Sequence, residues 1–73
     1  MTKVNSKAFQ VEMRKNGFTL DTLSQALKLS RTGLFNKIHN KSEFKASEMS
    51  AIASIFKLSK SKKDSIFFAD GVE

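Results

Sequence analysis

The chain has 73 residues, 40% of them hydrophobic and 27% charged, with no cysteine and no proline. This describes one small soluble domain near the lower size limit for an independent fold, with a core too shallow to enclose a catalytic cleft. Disulfides and thiolate metal sites are excluded, the single His39 does not complete a zinc site alone, and no apolar run approaches the ~18 residues of a membrane span. The formal charge of +6 suits a polyanion or an acidic protein surface as partner, or equally a lysine-rich solubilising surface.

Apolar residues recur at spacings of three and four, and only Gly17, Gly33 and Gly71 interrupt them, which predicts an all-helical domain over residues 1–73. Ser6 is the expected N-cap of a first helix, Lys7 to Asn16, with Phe9 and Met13 on its inner face and Gly17 closing it in a left-handed turn. Phe18 returns the chain to the core. Thr19 then caps a second helix, Leu20 to Lys28, striped by Leu23, Ala26 and Leu27. Ser30 caps a third, Arg31 to about His39, with Leu34 and Ile38 inward. The few residues between the second and third helices are the spacing a helix-turn-helix requires, here about residues 20–39.

Asn40 is a suitable left-handed terminator, and Lys41 to Ala46 read as a polar loop anchored by Phe44. A fourth helix, Ser47 to Lys57, turns Met49, Ile52, Ala53 and Phe56 inward, and Leu58 follows as a core contact. Ser59 caps the last helix, Lys60 to Ala69, which buries Ile66, Phe67 and Phe68. Residues 70–73 form a frayed tail.

Nothing in this pattern resembles catalytic machinery: there is no glycine-rich phosphate loop, no nucleophile elbow and no histidine with a nucleophile or ligand partner. No enzyme activity, cofactor or small-molecule substrate is expected. The N-terminus, Met1 to Asn5, lacks the apolar stretch of a signal peptide, so the expected location is the cytoplasm. Charge is concentrated in the middle. Residues 28–63 carry nine bases against Glu43 and Glu48, whereas residues 64–73 carry acids only.

The run from Leu20 to Ser42, LDTLSQALKLSRTGLFNKIHNKS, resembles the helix-turn-helix of the phage Cro and CI repressor type, broadly the XRE family. The stretch LSRTGLFNKIHNKSEF, Leu29 to Phe44, is similar to the recognition helix and following loop of small phage regulators in that group, and the likeness extends over roughly residues 6–68. It implies a compact five-helix, lambda-repressor-like domain. Four positions depart from the family pattern: Leu20 stands where a phosphate-clamping glutamine is common, Ser24 for the alanine packed between the helices, and Lys28 and Asn40 for glycines.

The resemblance implies a regulator of the lysis–lysogeny switch that binds double-stranded operator DNA, as a homodimer on near-palindromic sites. The N-terminal outer residues of the recognition helix would then meet base edges. Arg31 suits guanine, Asn36 adenine and Thr32 a thymine methyl. Ser30, Lys37, Lys41 and Lys45 would contact phosphates. Self-association would use the last helix, through Phe67 or Phe68 unless Phe68 is simple core, or would occur only on DNA.

Small proteins resembling this one also include antirepressors, modulators that bind a CI-type repressor and block its DNA-reading surface. Phe35, next to the inward Leu34, is expected at least partly exposed, where it meets thymine methyls or anchors a protein partner, unless it folds under the loop against Phe44. Arg31 would join it in such a contact. Lys60, Lys62 and Lys63 stand in a helix's first turn, where the macrodipole disfavours positive charge; this placement suggests a phosphate backbone or an acidic protein face as partner, or else a merely tolerated lysine-rich surface.

Overall fold

A computed structural model describes residues 3–68, and among these the chain is entirely helical outside its turns and loops. Five helices follow one another: α1 Ser6–Lys15, α2 Leu20–Ala26, α3 Arg31–Ile38, α4 Ala46–Ile55 and α5 Lys60–Phe67. Each opens on a residue whose backbone is extended. The Asn5, Ser30 and Ser59 side chains accept the N–H of the residue three positions on, and Thr19 and Thr22 cap reciprocally. Helix α4 lacks such an acceptor at its cap, Lys45. Its third residue supplies the other half of the exchange, the Glu48 carboxylate accepting the Lys45 N–H at 2.9 Å.

The caps at Thr19, Ser30 and Ser59 stand where the sequence predicts them, but α1 begins one residue earlier than expected. Asn5 caps it, which frees the Ser6 hydroxyl to donate to the Ile38 carbonyl at 2.6 Å across to α3. Likewise α4 begins at Ala46, because the Glu48 exchange fixes its start at Lys45.

The helix ends share one device. Gly17, Lys28, Asn40 and Lys57 all have positive φ, between 54° and 79°. At each, the next residue's N–H reaches back to the carbonyl five positions earlier: Phe18 to Met13, Leu29 to Ser24, Lys41 to Asn36 and Leu58 to Ala53, at 2.8 to 2.9 Å. These are Schellman turns. Three deliver an apolar residue, Phe18, Leu29 or Leu58, back to the core. Such turns stop α2 at Ala26 and α4 at Ile55, each two residues before its expected end, and put lysines in the left-handed region at Lys28 and Lys57, where a Cβ is strained.

The core is built around Phe9, which is completely buried. Its ring stacks on Phe44 at 5.8 Å and meets Phe56 and Phe67 edge-on at 5.7 and 6.1 Å. Leu23, Leu34, Ile38, Ile52 and Ile66 complete the interior. Helix α2 packs on α3, and α1 on α5. The radius of gyration, 11.1 Å, matches the roughly 11 Å expected of a compact chain this long.

The segment before α1 laces the two ends together. Val4 is buried, and the Asn40 side chain pairs with both its backbone groups, accepting the Val4 N–H at 2.8 Å and donating to the Val4 carbonyl at 3.0 Å. The Asn5 N–H donates to the Ile66 carbonyl of α5 at 2.8 Å. Glycine at position 40 would provide the turn but not this pairing. Helix α5 is described to Phe67, with Phe68 packed half-buried on the core; Ala69, where its end is expected, and the tail at 70–73 lie outside the described residues.

Candidate functional site: the outer face of α3

Helix α3 is held from three sides. Leu34 and Ile38 anchor its inner face, α2 packs beside it through the turn at 27–30, and the Ser6 and Asn40 hydrogen bonds pin its C-terminal end. Its outer face is therefore presented rigidly. Arg31, Thr32, Phe35 and His39 are exposed along it, while Asn36 is half-buried, with its carbonyl engaged by the Lys41 N–H. The Ser30 hydroxyl caps the helix by accepting the Gly33 N–H at 3.0 Å.

Phe35 is the central feature of this face. It is 43% exposed, and its ring lies 4.3 Å from that of His39. It does not fold under the loop: the ring packing on Phe44 belongs to Phe9 and Phe67. Hollows of about 310 and 290 Å³ flank it and share Phe35 and Leu20. The larger has a floor of Met13, Phe18, Leu20 and Ile38, with Gln10, Arg14, Thr19 and His39 on its margin. The smaller is bordered by Arg31 and Thr32.

Lys37 corrects the sequence reading. Instead of facing outward to a phosphate, its ammonium turns toward α4 and meets both Glu48 carboxylate oxygens at 2.7 and 2.8 Å, with side-chain exposures of 13% and 12%. Burial pushes the Glu48 carboxyl up, but the hydrogen bonds from Lys37 and the Lys45 N–H, with the charges of both lysines, outweigh it and hold the group below its ordinary range. The pair is thus a clamp between α3 and α4. Lys41 and Lys45, in the loop between α3 and α4, remain exposed.

The three lysines at the start of α5 are treated differently from one another. Lys62 lies 3.5 Å from the buried Glu12 carboxylate on α1, which gives one of them an internal counter-charge, while Lys60 is exposed and Lys63 half-buried. Phe67, expected as a possible self-association residue, is fully buried. It is core.

Several participants escape sequence reasoning. Leu20 is notable in the sequence only as an absent glutamine, yet it joins the two hollows. Gln10 and Arg14 sit on α1 and reach the face only because α1 packs beside α3's end. Their i, i+4 spacing is the one local sign that they share a surface.

Among the described residues no helix is long and apolar enough to cross a membrane. No protein-family model matches the chain, and neither the curated proteins nor the solved structures provide a match.

Proposed function

We propose that this chain is a helix-turn-helix regulator of a temperate phage, working in the host cytoplasm, and that it acts as an antirepressor: α3 docks its outer face on a CI-type repressor and blocks that protein's DNA-reading surface. The observation carrying this reading is the placement of Phe35. Of seven phenylalanines, four are buried and two more pack half-buried on the core, while Phe35 alone stands open in the middle of α3's face. Covering its exposed part would gain about 1 kcal/mol from desolvation alone, and an aromatic anchor beside hollows is the usual centre of a protein–protein contact. Two anchors that a DNA reader would use are also missing, since Leu20 cannot clamp a phosphate and Lys37 is spent on Glu48.

The test is a mobility-shift titration of the phage's own repressor on its operator. Added chain is expected to dissolve the repressor–operator complex, and Phe35→Ala to lose that ability while keeping its helical circular dichroism. Undiminished action of Phe35→Ala would refute the reading.

A second reading, operator binding as a homodimer on DNA, is favoured by a specific observation: Arg31 and Thr32 are exposed at the N-terminal end of α3, and Lys41 and Lys45, in the loop after it, are exposed too. It predicts sequence-specific DNA binding by the chain alone at near-physiological salt, abolished by Arg31→Ala. The antirepressor reading predicts only salt-sensitive, non-specific attraction there.

A further inference from the structure

We infer that the docking surface extends beyond α3, over the last turn of α1 and the first of α2, and that it receives an amphipathic helix whose apolar stripe is flanked by carboxylates. This rests on the protein-partner reading above and specifies the partner's chemistry. The hollow between α1, α2 and α3 holds about 310 Å³, in the range of sites that seat bulky apolar groups; its two buried lining residues, Met13 and Ile38, are apolar, Phe18, Leu20 and Phe35 add apolar surface, and Gln10, Arg14, Thr19 and His39 supply the polar part. With the adjoining hollow beyond Phe35 it provides two successive apolar seats, the pattern that spaced anchors on one helix face fill.

Charge selects the helix. Arg14 lines the first hollow and Arg31 the second, and among the described residues no aspartate or glutamate lines either one. Among the described residues neither arginine is in an ion pair, the pairs there being Lys37–Glu48 and Lys62–Glu12, which leaves the guanidinium groups to an incoming carboxylate. A duplex would satisfy the arginines but leave the apolar floor facing a hydrated groove. An acidic amphipathic helix satisfies both.

The experiment measures calorimetric binding of the full chain, at near-physiological salt, to the phage's repressor and to two helical peptides sharing one leucine stripe, flanked in one by glutamates and in the other by lysines. The glutamate peptide is expected to bind at least about tenfold more tightly than the lysine peptide, and Arg14→Glu to reverse that order. Repressor affinity should fall at least about tenfold in Arg14→Glu and less in Arg14→Gln. Arg14 is exposed, and circular dichroism verifies that both variants fold. Equal binding of the two peptides, binding of neither, or a repressor affinity indifferent to Arg14→Glu would overturn the inference. In that last case the antirepressor reading stands, whereas a repressor that does not bind the unaltered chain at all removes the reading itself. Sequence-specific duplex binding weakened by Arg14→Glu would assign the surface to DNA and also overturn the inference.

Discussion

The Lys37–Glu48 clamp allows a prediction in which the fold and the site are separable. Glu48→Ala removes the acceptors of two contacts from Lys37 and one from the Lys45 N–H, and strands an ammonium that is 13% exposed. Breaking a fully buried pair costs about 3–5 kcal/mol and an exposed one about 0.2–1 kcal/mol. The clamp is close to the buried limit, but the lysine stem can swing its head toward water, so about 2 kcal/mol is reasonable, with about 1 kcal/mol more for the lost helix cap. A loss of about 3 kcal/mol is a large part of the roughly 4–11 kcal/mol expected for a chain this size, and lowers Tm by more than about 10 °C.

Lys37→Met should cost less, because Glu48 keeps the Lys45 N–H. The double variant Lys37→Met/Glu48→Ala, read against the two single variants, should reveal a coupling of about 1–2 kcal/mol. The chain has no tryptophan or tyrosine, so urea unfolding is followed by circular dichroism. The sign with pH is fixed by the lowered Glu48 carboxyl. Its contribution is fully present above the ordinary carboxyl value of 4.5 and is lost as pH falls through the lower folded value, so the coupling should vanish in strong acid. A coupling below about 0.3 kcal/mol at pH 7, the usual scatter of independent sites, would refute the clamp and return Lys37 to the exposed cations available to DNA.

Other substitutions probe the turns and the core. Lys28→Gly and Lys57→Gly should each raise stability, by about 0.5–1 kcal/mol in urea unfolding, since both lysines occupy the left-handed region; a loss of stability would mean that the strain is absent. Asn40→Gly should behave oppositely despite an equally positive φ, losing about 1 kcal/mol because the pairing with Val4 disappears, and Asn40→Ala should lose more. Phe9→Ala should cost about 3–5 kcal/mol in urea unfolding followed by circular dichroism, since its ring joins Phe44, Phe56 and Phe67; a loss below about 1 kcal/mol would mean that these rings do not form the centre of the core.

Most of the helical frame is legible in the sequence because its signals are local. Thr19, Ser30 and Ser59 cap within three residues, and Gly17 and Asn40 announce positive φ by their residue type. Lys28 is suspect only through the glycine expected there, and Lys57 carries no such sign; the Schellman turn that forms there is dictated by Leu58 needing to reach the core. The site is less legible. Phe35's exposure follows from its place beside Leu34, but the larger hollow on its flank depends on how α1 lies against α3, and the smaller on how Leu20 of α2 lies against it, both non-local facts. Lys37 illustrates the limit most clearly: periodicity places it beside the inward Ile38, and only the arrival of α4 with Glu48 decides where its charge goes.

The most direct test of the antirepressor reading is an amide-resonance footprint of the labelled chain, titrated separately with the phage's repressor and with its operator duplex at near-physiological salt. The account predicts that the repressor shifts or broadens Arg31, Thr32, Phe35 and His39 together with Arg14 and Leu20, while the duplex alone gives only weak shifts that a scrambled duplex reproduces and added salt removes. Specific shifts of the α3 residues by the duplex, with none from the repressor, would contradict it and make the chain an operator reader.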